Sequence, residues 1–150
     1  MSQISKKRLD KDVESEMFNQ FWASLSKIDT PSTASEFFSD LLTKTEKYVL
    51  AKRFTCAILL VRGRSASEIN KSIHFTYSTI GSVASWVKNA RPQTKRILEK
   101  ISKEKEWEKV FDRVDSLLDK LPPKYGSGWS RVGKEKYKRA LQRSARSNLR

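Results

Sequence analysis

The 150-residue chain has one cysteine, one histidine, five glycines and four prolines. A lone Cys56 excludes an intramolecular disulfide and a cysteine-rich metal site, so a reducing compartment is expected. It lies in the apolar run 55–61, Thr-Cys-Ala-Ile-Leu-Leu-Val. Burial there raises a thiol pKa, and Cys56 therefore reads as packing, not as a nucleophile. His74 has no second histidine or thiol cluster beside it, which leaves zinc without ligands. There is no glycine-rich phosphate loop and no acidic metal cluster, so neither enzymatic activity nor a cofactor is expected. No apolar run approaches membrane-spanning length, and Met-Ser-Gln-Ile-Ser-Lys-Lys-Arg at the start is followed by no apolar stretch. A cytoplasmic, nucleoid-associated location without membrane contact follows as an expectation.

Acidic residues are also scarce. Seventeen Asp and Glu stand against 31 Lys and Arg, a net charge of +14. Such an excess favours polyanionic partners through counterion release and steering, with nucleic acid first among them.

Helical periodicity dominates what is present. Residues 1–11 read as a disordered basic N-terminus. From Asp12 to Ile28, Val13, Met17, Phe18, Phe21, Trp22, Leu25 and Ile28 recur at steps of three and four. After the breaker Asp29-Thr30-Pro31-Ser32, a second helix is expected over Ala34–Leu42, capped by Ser32 or Thr33. Thr43-Lys44-Thr45-Glu46 has capping-box form, and the helix behind it is apolar over so wide an arc that it must be central or shared between subunits. Gly63 suits the left-handed cap at its end. Beyond Arg91-Pro92 a long helix is expected, polar at first and amphipathic from Trp107 to Leu121, stopped at Leu121-Pro122-Pro123. The stripe fits either a coiled-coil seam or a helix folded back on its own domain. Gly126-Ser127-Gly128 reads as a flexible joint, and residues 131–150 hold eight Lys or Arg against Glu135.

A helix-turn-helix needs apolar residues at places 4, 8, 10, 15 and 18 of a twenty-residue window. Counted from Ala66 these are Ile69, Ile73, Phe75, Ile80 and Val83, five matches of five. The turn place usually held by Gly is His74, and the usually small fifth place is Asn70. Histidine enters the left-handed region more readily than most residues, so the turn remains possible. Thr76 is the expected N-cap of a second helix, Tyr77 to Lys88, whose outward positions Tyr77, Ser78, Thr79, Gly81, Ser82 and Ser85 are small or hydroxylic. Together with Ser65, Thr76, Lys88 and Arg91 these are the candidate DNA contacts.

Residues 24–90 carry a resemblance. Ser-Leu-Ser-Lys-Ile-Asp-Thr, then Glu36-Phe37-Phe38-Ser39-Asp40-Leu41-Leu42-Thr43, the Arg62-Gly63 helix end and Ser78-Thr79-Ile80 are similar to the Trp repressor superfamily, in particular its YerC/YecD-like branch. The resemblance implies an all-α fold: a helical bundle interlaced with a second copy as a homodimer, from which paired helix-turn-helix units project. It also implies a regulator of double-stranded DNA, most simply a repressor. In tryptophan-sensing members an arginine on the recognition helix after the Thr-Ile pair, followed by glycine, helps hold the corepressor; those positions fall at Ser82 and Val83. Arg53 matches a basic residue used for the ligand carboxylate. Half a clamp argues against tryptophan as a small-molecule effector. The expected organisation is thus a Trp-repressor-like domain over 12–91, an amphipathic helical extension over 92–123 with no family counterpart, and a flexible basic tail over 124–150.

In that tail Arg131, Lys134, Lys138, Arg139 and Arg143 are candidate phosphate contacts. Tyr137, Leu141, Ala145 and Leu149 share one face at steps of four, so the segment is able to become helical on a polyanion. The competing reading is a nucleoid-associated or RNA-binding protein whose helix-turn-helix is a packing unit and whose tail binds, since the recognition helix is nearly uncharged.

Overall fold

The computed structural model describes residues 10–120 and 129–148. All regular structure in them is helical: α1 (Lys11–Leu25), α2 (Pro31–Leu41), α3 (Lys44–Val61), α4 (Ala66–Ile73), α5 (Tyr77–Asn89), α6 (Pro92–Ser102), α7 (Lys105–Asp119) and α8 (Trp129–Asn148). The basic N-terminus up to residue 9, the Leu121-Pro122-Pro123 stop and the Gly126-Ser127-Gly128 joint lie outside the described residues. The segment expected as a flexible tail is helical over α8. The chain divides into two compact units, one up to Tyr48 and one from Val49 onward.

In the first unit Asp10 caps α1, accepting the Asp12 N–H at 2.9 Å. The helix ends at Leu25, earlier than the periodicity suggests, because residues 26–28 close as a turn with Ile28 N–H on the Leu25 carbonyl. α2 begins at Pro31 rather than Ala34, and Thr30 is the cap, accepting the Thr33 N–H at 3.1 Å. The proline read as a breaker is a starter, since its fixed φ and missing N–H suit the first helical position. The Thr43 capping box forms as expected, with Thr43 N–H and Oγ1 both donating to Glu46 and Glu46 N–H returning to Thr43 Oγ1. These bonds hold the Glu46 carboxyl below its ordinary pKa. No residue of α1 or α2 is buried. Val13, Met17, Phe18, Phe21, Trp22, Phe37 and Leu41 all stand exposed on a single subunit.

In the second unit α3 is central. Cys56, Ala57, Ile58 and Leu59 are four successive residues with no exposure, which covers most of the helix circumference. Burial pushes the Cys56 thiol pKa up, as packing implies. Gly63, at φ +78°, ends the helix, with its N–H on the Leu60 carbonyl and Arg64 N–H on the Leu59 carbonyl, the paired bonds of a Schellman cap.

The long helix expected after Pro92 is two helices. Ser102 is buried with Oγ donating to the Glu99 carbonyl at 2.8 Å, and Glu104 turns extended before α7 starts. A straight helix would carry Phe111 about 20 Å past Leu98 at 1.5 Å per residue. The break lets both enter one cluster, with Ile58, Leu59, Ile69, Ile80, Val83 and Val114. Of the two readings of the stripe that begins at Trp107, α7 takes the fold-back over the described residues. α7 lies on α4, and Trp107 meets Phe54 and Phe111 edge-on or tilted at 5.9 and 6.2 Å between centroids. Two ion pairs clamp it: Arg62 to Glu108 at 2.5 Å and Arg64 to Asp115 at 2.6 Å, with the Arg62 guanidinium also 4.5 Å from the Phe111 ring centroid.

Candidate nucleic-acid interface

α4 and α5 pack against each other across the turn His74-Phe75-Thr76, the helix-turn-helix of the sequence pattern. Of its five apolar places, Ile69, Ile80 and Val83 are buried, while Ile73 and Phe75 pack half-buried on the same cluster. His74 takes the left-handed conformation, φ 54° and ψ 48°, and is the one non-glycine residue among those described with positive φ. Such a residue costs roughly 1–2 kcal/mol against the right-handed region. The second departure offsets it: Asn70 Nδ2 donates to the Phe75 carbonyl at 2.7 Å while His74 N–H donates to the Asn70 carbonyl at 3.0 Å. From α3, Lys52 Nζ donates to the His74 carbonyl at 3.4 Å and lies 4.6 Å from the Phe75 ring centroid. Asn70 and His74, each unusual alone, thus work as a pair.

Ser65 and Thr76, both proposed as DNA contacts, cap the two helices. Ser65 Oγ donates to Glu68 at 2.8 Å and accepts the Glu68 N–H at 3.3 Å. Burial pushes the Glu68 carboxyl up, but the Ser65 hydrogen bonds and the Arg64 charge outweigh it and leave the pKa lowered. Thr76 Oγ1 accepts the Thr79 N–H at 3.2 Å, as the sequence suggests. Along α5, Tyr77, Ser78, Gly81, Ser82 and Ser85 are exposed and Thr79 is half-buried; Lys88 and Arg91 follow on the surface. Ser82 Oγ donates to the Ser78 carbonyl at 3.1 Å, and Arg53 stands exposed on α3.

Gly81 is the informative member. A mid-helix glycine costs about 1 kcal/mol relative to alanine. A Cβ added at Gly81 would meet nothing within 4 Å, so no packing inside the subunit requires it. Sequence reasoning passed over Trp86 and Asn89 on the same helix. Trp86 is 47% exposed one turn beyond Ser82, and Asn89 donates to Ser85 Oγ at 3.4 Å. The signal was a large apolar ring in a helix otherwise small or hydroxylic on its outward side.

The basic C-terminal candidates are sorted by α8. Arg139 is drawn to α7, with Nη2 at 2.8 Å and Nε at 3.2 Å from Asp119 Oδ1. Lys136 Nζ donates to the Asp119 carbonyl. Lys134 and Lys138 are exposed. Arg131 and Arg143 belong to the helix, and their side chains lie outside the described residues. No described helix is long and apolar enough to cross a membrane.

Comparison with curated proteins and with solved structures returns no match. The model of the family described as Trp repressor protein matches residues 16–102, from within α1 to the end of α6. That is more than half of the chain and includes the whole helix-turn-helix, with α7 and α8 beyond it: the chain belongs to the Trp repressor family.

Proposed function

We propose that this chain is a non-enzymatic transcriptional regulator of the YerC/YecD-like branch, a repressor that docks α5 in the major groove of duplex DNA while basic residues of α8 touch phosphates. The observation that carries the reading is the outward side of α5: a helix-turn-helix whose second helix is small, hydroxylic and interrupted by a glycine that nothing within the subunit needs. Close approach to a duplex is what such a surface permits. Base-edge contact then falls to Tyr77, Ser78, Thr79, Gly81, Ser82 and Ser85, and phosphate contact to Lys88 and Arg91. Trp86 and Asn89 join them on geometry. With Ser82 in place of an arginine, tryptophan is not the effector.

Selection of bound sequences from a random duplex pool tests it: a sharp consensus supports a site-specific regulator, and no enrichment removes it. Gly81→Ala sharpens the test. It should raise stability by up to about 1 kcal/mol and weaken duplex binding, two effects of opposite sign read by denaturation and by titration. A variant that gains stability and binds unchanged leaves Gly81 out of the interface.

The subunit should work as a homodimer in the cytoplasm. Seven large apolar residues exposed on α1 and α2, with none of either helix buried, form a surface that a second copy would cover. Sedimentation at micromolar concentration should give twice 17.4 kDa. A well-folded monomer overturns the interlaced arrangement.

A further inference from the structure

The two sides of α8 differ in what they have to do. Lys136 and Arg139, one turn apart, hold the helix to Asp119 at the end of α7 and are its half-buried described side chains, with Ala140 and its other described neighbours exposed. Lys134, Tyr137, Lys138 and Leu141 fall at intervals of three and four, a half-turn of circumference away from that anchoring pair. All four are exposed, Tyr137 at 67% and Leu141 at 52%. The anchor therefore presents Tyr137 between two ammonium groups along the helix, with Leu141 one turn beyond it, on a helix with seven Lys or Arg against one Glu.

Duplex phosphates need the lysines and have no use for the tyrosine and leucine, because bases in a duplex show their edges in the grooves and keep their faces stacked. An unpaired strand offers both a phosphate chain and free base faces, which stack on exposed aromatics without regard to sequence. An anionic membrane surface would call for a broader apolar stripe than a tyrosine, a leucine and the short Ala145. We infer that the Lys134-Tyr137-Lys138-Leu141 face of α8 is a second nucleic-acid site, for single-stranded DNA or RNA, with Tyr137 stacking on a base and the two lysines following the phosphates. The site is separate from α5 and stands whether or not α5 reads a duplex.

The test measures binding of the full chain to fluorescent oligo(dT) and oligo(U) of about 20 nucleotides, to a duplex of the same length, and to vesicles containing anionic lipid. Tyr137 is exposed, so its replacement leaves the fold intact, and a melting curve checks this. Tyr137→Ala should weaken single-strand binding by about 5- to 150-fold, the range measured for removal of one stacking aromatic, and leave duplex binding unchanged. Tyr137→Phe should retain single-strand affinity. Lys134→Gln with Lys138→Gln should weaken both and flatten the salt dependence of both. Absent single-strand binding, single-strand binding indifferent to Tyr137→Ala, a loss on Tyr137→Ala that is equal for strand and duplex, or Tyr137-dependent binding to vesicles alone would each overturn the assignment. Loss of duplex specificity by itself bears on α5 and not on this site.

Discussion

Exchanging Arg64 for Met should lower the stability of the folded chain by about 3 kcal/mol, a large share of the margin on which a domain of this size stands. Asp115 is 7% exposed, and the Arg64 guanidinium 2.6 Å from its Oδ1 is the charge that compensates it. That oxygen accepts no hydrogen bond of good geometry, so ionic contact with Arg64 is its compensation. Removing the cation leaves a buried carboxylate alone, which costs more than the pair itself contributes. The double variant Arg64→Met with Asp115→Leu should recover most of the loss, because a well-packed apolar pair replaces a desolvated ionic one at little net cost. The denaturation midpoint of the two variants, at unchanged slope, measures this. Equal losses in the single and the double variant would mean that the side chains act through packing and not through charge. Arg62→Met should cost less, about 1 kcal/mol or below, because Arg62 and Glu108 are a third and a quarter exposed and solvent screens them.

The Arg64 pair also marks where the sequence stopped being legible. Features encoded within a few residues were readable: the Thr43 and Thr76 caps, the Gly63 helix end, the left-handed His74 and the five apolar places from Ile69 to Val83. Each rests on local backbone chemistry or a short period. The Asp115 and Glu108 partners of Arg64 and Arg62 lie some 50 residues away, and a chain rich in charge gives no sign of which carboxylate meets which guanidinium. The break at 103–104 was hidden for a related reason. Ser102-Lys103-Glu104 contains neither Pro nor Gly, and it is the shared cluster of Leu98 and Phe111, a tertiary demand, that bends the chain there. Asn70 was legible as a departure and illegible as a remedy, because its bond to the Phe75 carbonyl exists once the turn has formed. At the candidate site the pattern located α5 and its outward side, while Trp86 escaped because attention to charge and hydroxyls discounts a large ring.

Affinity and discrimination should separate between α8 and α5. Phosphate contacts supply binding energy without sequence information, and base contacts supply the discrimination. Deleting residues 129–150 removes eight Lys or Arg per subunit, and the slope of log affinity against log salt falls by about 0.9 for every phosphate that is no longer neutralised. The fall should be well short of eight such steps, since Lys136 and Arg139 are turned to Asp119. Deletion also strips Asp119 of those partners, so the full-length variant Lys134→Gln with Lys138→Gln is the cleaner measurement. It should lower the slope by up to about 1.8 per subunit and leave the preference among duplex sequences intact. Substituting Tyr77, Ser78 or Ser82 should do the reverse: these side chains are exposed at the start of α5 and carry no charge, so discrimination flattens while the salt slope holds. Isotherms at three salt concentrations on a selected and a scrambled duplex distinguish the two behaviours. If the lysine variant loses its preference while the Tyr77 variant keeps it, α8 reads the sequence and α5 is a packing helix.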